Sequence, residues 1–486
     1  LLLPFSSIKL ATVAAALGAD LDPAFNDVSF GPVITDSRNI VPGDWFLALR
    51  GEKFDGHEFT ARALELGAAG LIVEQQATLP TAVTQREGLP ILRVADTLKA
   101  WGDLAAAQRL AWAGPVLALS GSAGKTTTRR LIASALNRHL RTLEPIRNYN
   151  NLIGLPHTLL RLENETDIAI IELGMNMPGE LARLTQIAQP SVAAITQIGL
   201  AHVGMFESPQ ALVNAELEVF ENAPAGIPFV ANAACPNTMR HITKYASPAG
   251  GNHPVVLFLG EKPAEIDAPP AVRILNVTPL PGGVPRGYRF DLELPGGKLR
   301  GQELHLFGRH HLENVAAACA VLLAAGLEPT WVAEALEDFD TEQNRGQIIE
   351  TPHRVIQVLD CYNASPPAML SALRSLGDFP CPDEDSGVQR RVLVLADMLE
   401  LGRLSTQLHD FLLPMLRELA PAGFFALGPN MSRLAATLAA EGLNAQGCAT
   451  REELLPALQA FVQPGDLVFF KGSHSFALEK VAQGLG

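Results

Sequence analysis

Two kinds of hydrophobic run alternate along this chain. Short, unbroken apolar stretches recur, and most lead through a turn into a longer stretch whose apolar positions repeat every third or fourth residue. The first kind fits a strand buried on both faces, the second a helix with one buried face. Their alternation predicts an α/β fold with parallel sheets covered by helices. Within residues 1–112 the pattern predicts strands at 33–36, 45–49, 70–73 and 91–94, and a helix at 59–66. From 113 onward it predicts a strand at 116–120 before a helix starting at Thr126, then 168–173 before 179–187 and 192–197 before 209–220. The Pro/Gly-rich stretch 268–297 reads as an antiparallel excursion or loop region inside this section. After about residue 343 the alternation restarts, with strands at 355–360, 392–396, 424–427 and 467–470, which predicts a second, smaller α/β sheet. There is no internal repeat and no low-complexity tail.

Length agrees with that division. At about 150 residues per domain, 486 residues suggest three domains, expected at 1–112, 113–342 and 343–486, each able to bury its own core. A hydrophobic fraction of 48% with 18% charged residues argues against disorder. The net charge of −14 argues against nucleic acid as a partner, although local residues can still hold a small anion. Five scattered cysteines without a CxxC pair fit reduced thiols in the cytoplasm better than disulfides or a zinc site. The apolar opening lacks a basic leading region and is interrupted by Lys9, so it reads as a strand-to-helix start, not a signal peptide. The missing initiator Met suggests a start that is trimmed or mis-called. The longest apolar run, around 315–327, is too short to span a bilayer, and no membrane insertion is expected.

Chemistry enters most clearly at Ser120-Gly121-Ser122-Ala123-Gly124-Lys125-Thr126-Thr127, between a predicted strand and a predicted helix. Gly121 and Gly124 allow a tight turn that aims amide N–H groups at phosphate oxygens. The helix N-terminus adds a positive dipole end, Lys125 a point charge, and Thr126 a hydroxyl for Mg²⁺. In the usual GxxxxGK[ST] spacing a glycine stands where this chain has Leu119. The alternative is an ordinary Gly-rich turn, but Gly-Lys-Thr-Thr in this context favours ATP or GTP.

The shorter loop and a series of motifs in fixed order resemble the Mur ligases, which form amide bonds using ATP. The motifs are Thr35-Asp36-Ser37-Arg38, Phe46 to Gly51 with Phe54-Asp55-Gly56-His57, the phosphate loop, and Asn148-Tyr149-Asn150-Asn151 running into Ile153-Gly154-Leu155-Pro156. They continue through Glu172-Leu173-Gly174-Met175-Asn176, Ala201-His202, Gly308-Arg309-His310 with Asn314, Asp360-Cys361-Tyr362-Asn363-Ala364, Asp397-Met398 with Glu400-Leu401-Gly402, and Lys471-Gly472-Ser473. Together they cover nearly the whole chain.

The resemblance implies an N-terminal UDP-binding domain, a central P-loop ATPase sheet and a C-terminal Rossmann-like domain. It implies ATP and Mg²⁺, an acyl-phosphate intermediate, and a place in peptidoglycan precursor synthesis in the cytoplasm. The similarity is greatest to the branch that adds D-alanyl-D-alanine to a UDP-linked muramoyl tripeptide, and a monomer is expected. Lys125, Glu172, His202 and Glu216 are the implied catalytic residues, with Thr126, Glu172, His202 and Glu216 toward metal. Gly121 to Thr127, Asn314, Arg345 and Asp360 would bind ATP. Ser37, Arg38, Asn150, Asn151, Tyr362, Asn363 and Lys471 would bind the substrates.

Several of these residues have plainer roles open to them. Glu172 could cap a strand end, a lone His202 is commonly structural, Asn314 could serve a helix N-terminus, and Arg38 could be solvated. The main departure from the family is Glu216, where a carbamylated lysine is usual. Either its carboxylate replaces the carbamate or it is a solvated surface residue, and Glu218, about 200° further around the helix, cannot share its direction. Gly204 replaces a common acidic residue, His474 a common Arg, Cys361 a common Ser, and the order around Arg345 is altered. These changes leave two rivals: a ligase for another acid and amine, and a nucleotide-binding subunit without ligase activity.

Overall fold

The computed structural model describes residues 8–51, 54–146, 148–200, 203–246, 252–261, 270–281, 284–340, 343–382 and 387–485. The chain packs as two compact units. One comprises Leu1–Val116, Leu140–Leu173 and Ala182–Pro190; the other comprises Leu117–His139, Gly174–Leu181 and Ser191–Gly486.

In the first unit the strands Val33–Ile34, Trp45–Leu47, Gly70–Glu74 and Ile91–Val94 lie side by side in that order, all parallel. Successive side chains of a strand point to opposite faces. Trp45, Leu47, Ile72 and Leu92 therefore join one core with Leu10, Phe30 and Trp101, while Phe46, Leu71 and Val73 join another with Ile40 and Leu64. Burial on both faces explains why these strands are mostly apolar, with Glu74 and Arg93 only half-buried near their ends. Gly70 is a glycine because a Cβ there would lie 2.5 Å from the Trp45 indole. Asp96 caps the helix Thr97–Trp112 by accepting from the Lys99 amide at 2.8 Å. That helix holds the helix Gly154–Leu159 nearby, with Trp101 Nε1 donating to the Ile153 carbonyl at 3.0 Å. The strand Ile168–Glu172, buried at every position, pairs in parallel with Thr142–Leu143.

The second unit holds two sheets. In one, Val116–Ser120, Val192–Ile195, Phe229–Asn232, Val255–Leu259 and Val272–Pro279 follow one another in parallel. Tyr288–Leu294 and Gly297–Leu304 then extend the edge antiparallel, so the Pro/Gly-rich stretch is an antiparallel excursion. The helix His310–Ala324 is buried almost all round, which accounts for the long apolar run near its end. Among the described residues no helix is long and apolar enough to cross a membrane. The other sheet runs Gln347–Glu350, Ile356–Leu359, Asp466–Lys471, Arg390–Ala396, Gly423–Leu427, Ala445–Cys448, parallel except for its first strand. Buried clusters cover both faces of it.

Candidate functional site

The phosphate loop leaves the carboxyl end of Val116–Ser120 and enters the helix Lys125–Asn137. Gly121 and Gly124 have φ of 128° and 85°, the left-handed region where glycine is favoured. The Lys125 ammonium folds back to donate to the Gly121 carbonyl. Thr126 and Thr127 are buried at the helix start. The loop has the strand–turn–helix form the sequence suggests, with a helix N-terminus at its end.

Glu216, on the helix Pro209–Glu221, is 4% exposed. Its two carboxylate oxygens accept from the hydroxyls of Ser120 and Ser122, each at 3.1 Å. The residue is thus buried against the phosphate loop and not solvated. Ser122 is held further by its own amide on the Gln197 carbonyl at 2.7 Å and by the Gly199 amide on its hydroxyl at 3.0 Å. Glu218 points elsewhere, accepting from the Gly179 amide at 2.7 Å. His202 lies outside the described residues.

In the first unit Glu172 ends its strand at 2% exposure, and Asn150 Nδ2 donates to its carboxylate at 2.9 Å. Asn151 does something different. Its side chain accepts from the amides of Ile153 and Gly154 at 3.2 and 2.9 Å, fixing the entry to the next helix. Ser37 opens a short turn capped by Asp36, and Arg38 closes back on that same carboxylate with 2.6 and 2.9 Å contacts. His57 is buried between Asp55, 2.6 Å from Nδ1, and the Glu74 amide, 3.0 Å from Nε2. Nε2 accepts, so Nδ1 carries the proton, and this motif ties a turn to a strand end.

Of the remaining nucleotide candidates, Asn314 lines a cleft beside the loop together with Gly124, Phe258, His310, Ala317 and Pro367, whereas Arg345 and Asp360 are not among its lining residues. A Cβ on Gly124 would lie 2.5 Å from Asn314 Oδ1, so Asn314 reaches the phosphate loop itself. Asn314 Nδ2 donates to His311 Nδ1 at 3.3 Å, and burial pushes His311 well below the usual imidazole range, so it stays neutral and accepts. The Arg345 guanidinium stacks 3.9 Å over the Tyr362 ring. Lys471, at the carboxyl end of its strand, donates to Asp360 Oδ2 at 2.7 Å and reaches the Asn363 carbonyl at 3.3 Å. His474 packs beside Tyr362, with ring centroids 5.6 Å apart. Burial pushes the Cys361 thiol up to about 12, so it remains a thiol.

Sequence reading missed Thr196, His311 and, among the cleft walls, Phe258, Ala317 and Pro367. Thr196 and His311 were accessible as polar residues at a strand end and a helix start, but nothing local marked them. For Mg²⁺, the oxygen donors Thr126, Glu172 and Glu216 have the right chemistry. Among the described residues no group of three or more His, Cys, Asp or Glu is placed to hold a metal.

A lysine-bearing phosphate loop at the carboxyl edge of a parallel sheet, with a cleft alongside it, defines a nucleotide-binding α/β protein of the P-loop type. The family models for the Mur ligase catalytic, middle and glutamate ligase domains match residues 32–109, 119–322 and 344–474, and the chain belongs to the Mur ligase family. It is 31% identical to the UDP-N-acetylmuramoyl-tripeptide–D-alanyl-D-alanine ligase of Synechocystis sp., over 94% of this chain and 92% of the relative. It is 30% identical to the Escherichia coli enzyme of that name, over 99% and 98%. Among solved structures, a crystal structure of MurF from Acinetobacter baumannii matches at 30% identity with a TM-score of 0.83, covering 99% of each chain.

Proposed function

We propose that this protein joins D-alanyl-D-alanine to a UDP-N-acetylmuramoyl-tripeptide at the expense of ATP, as its relatives' names describe. The observation that carries the proposal is the built phosphate loop within a chain that matches those ligases from end to end. The reaction class is ATP-dependent carbon–nitrogen bond formation. An anionic carboxylate must attack the terminal phosphorus of ATP, and the acyl phosphate is then taken by the amine. Positive charge must offset both anions, and Lys125 with the helix N-terminus supplies it on this chain. A bound Mg²⁺ would add charge neutralisation at the phosphates, with Thr126, Glu172, His202 and Glu216 as its candidate holders. Glu216, already fixed on Ser120 and Ser122, gives that region a permanent carboxylate without lysine carbamylation.

We further assign UDP-substrate binding to 1–112 with Ser37 and Arg38, ATP binding to 113–342, and the amine substrate to 343–486. Asn150 and Asn151 would face the muramoyl peptide, with Tyr362, Asn363 and Lys471 toward D-alanyl-D-alanine. Asn314, Arg345 and Asp360 complete the nucleotide site in this reading. The protein would work as a cytoplasmic monomer supplying cell-wall precursor for growth and division. Phosphate release measured with UDP-muramoyl-tripeptide, with and without D-alanyl-D-alanine, tests the proposal. Release only with both substrates supports it; release with another acid or amine pair, or none, overturns it.

A further inference from the structure

A phosphate loop works only if its peptide planes are turned the right way. In a trans peptide the C=O and the next residue's N–H point in opposite directions, so holding a carbonyl outward aims the following amide inward. Each carbonyl turned away from water needs its own donor. The Gly124 carbonyl accepts from the Thr128 amide at 3.0 Å, as the first turn of the helix. The Gly121 carbonyl is met by the Lys125 ammonium. Two more, those of Ser120 and Ala123, depend on a residue from the neighbouring strand end. Thr196 is 5% exposed, its amide donates to the Ser120 carbonyl at 3.0 Å, and its hydroxyl donates to the Ala123 carbonyl at 2.5 Å. The same hydroxyl crowds Gly121 so closely that any Cβ there would collide with it.

We propose that Thr196 is a positioning residue for nucleotide binding: its hydroxyl fixes the Ala123–Gly124 peptide so that the Gly124 amide faces the phosphates. This rests on the reading that the loop binds nucleotide. Serine keeps the hydroxyl, whereas valine keeps the shape and leaves the Ala123 carbonyl without that donor. Losing a hydrogen bond of this kind corresponds to about tenfold in affinity.

The test is calorimetric titration of the full chain with ADP and magnesium chloride, beside thermal unfolding without nucleotide. Thr196→Val is expected to weaken ADP binding about tenfold, and Thr196→Ser to stay within about threefold of wild type. Lys125→Ala should lose binding altogether. Wild-type affinity in Thr196→Val, or equal weakening in Thr196→Ser, overturns the role of Thr196. Failure of the unaltered protein to bind ADP overturns the nucleotide reading of the loop instead. Should Thr196→Val not fold, Thr196→Ala carries the same comparison, and wild-type affinity there is equally fatal.

Discussion

The Gly204 amide donates to the Glu400 carbonyl at 2.8 Å, and the two chain segments meet backbone to backbone. A Cβ on Gly402, whose φ is 54°, would lie 2.9 Å from the Gly204 Cα, and one on Gly204 would lie 2.7 Å from the Glu400 oxygen. The neighbours are main chain, so no side chain can swing aside. The contact joins the turn before the helix Pro209–Glu221 to the loop following the strand Arg390–Ala396. An acidic residue at 204, common in the family, has no room in this arrangement.

Gly204→Ala is therefore expected to force the two segments apart, at about 1–3 kcal/mol of overpacking. Phosphate release should fall at least several-fold, with a lowered unfolding temperature. Wild-type values in both measurements would show that the close approach is dispensable.

Glu216 makes a second prediction. Its carboxylate needs no CO₂ to form, and both oxygens already accept serine hydroxyls. Ligase activity should be the same in CO₂-depleted buffer and in buffer with added bicarbonate. Activity that collapses on CO₂ removal and recovers with bicarbonate would refute the idea. Glu216→Ala should lose activity about tenfold or more, because Ser120 and Ser122 lose their shared acceptor.

Many of the parallel strands were legible in the sequence because burial on both faces keeps them largely apolar, whereas Phe229–Asn232, Val255–Leu259 and Ala445–Cys448 were not read. The strands Ile91–Val94 and Val116–Ser120 match the reading residue for residue. Polar starts were hidden: Arg390 belongs to its strand because Asp466, on the next one, pairs with it at 2.7 Å. The phosphate loop was legible for a related reason, since its parts are covalent neighbours. Its supports were not. Ser122 and Glu216 are 94 positions apart, and Thr196 and Ala123 are 73 apart, so only folding brings them together. The enclosure of Asn314 by His311 and Gly124, and of Lys471 by Asp360 and Asn363, was hidden in the same way.

A pH prediction follows from His409, which is buried, with Nδ1 on the Ser405 carbonyl at 2.7 Å and Nε2 accepting from the Met398 amide at 3.0 Å. Burial pushes its pKa below the ordinary value of 6.5, although Asp397 lies 3.9 Å away. The folded state then binds fewer protons than the unfolded state below that value. The contribution to stability is complete above pH 6.5 and is lost as the pH falls toward the lowered folded value. Its slope is at most about 1.4 kcal/mol per pH unit. Urea midpoints at neutral and mildly acidic pH should fall less steeply in His409→Leu than in wild type, even though the variant is less stable at neutral pH. Equal slopes would remove His409 as a source of acid sensitivity.

The last prediction concerns the buried pair of Lys471 and Asp360, whose side chains are 3% and 13% exposed. The ammonium holds the Asp360 carboxylate at 2.7 Å and the carbonyls of Asp360 and Asn363 at 3.3 Å, fixing the loop that places Tyr362 beneath Arg345. Lys471→Met strands a largely buried carboxylate, and breaking such a pair from one side costs about 3–5 kcal/mol. The denaturant midpoint should drop accordingly. Adding Asp360→Asn to Lys471→Met removes the uncompensated charge and should recover part of the loss. A double variant as unstable as the sum of the two single variants would mean that the charges are not coupled. The double variant should still bind ADP more weakly than wild type, because the carbonyl contacts that hold Tyr362 in place depend on the ammonium itself.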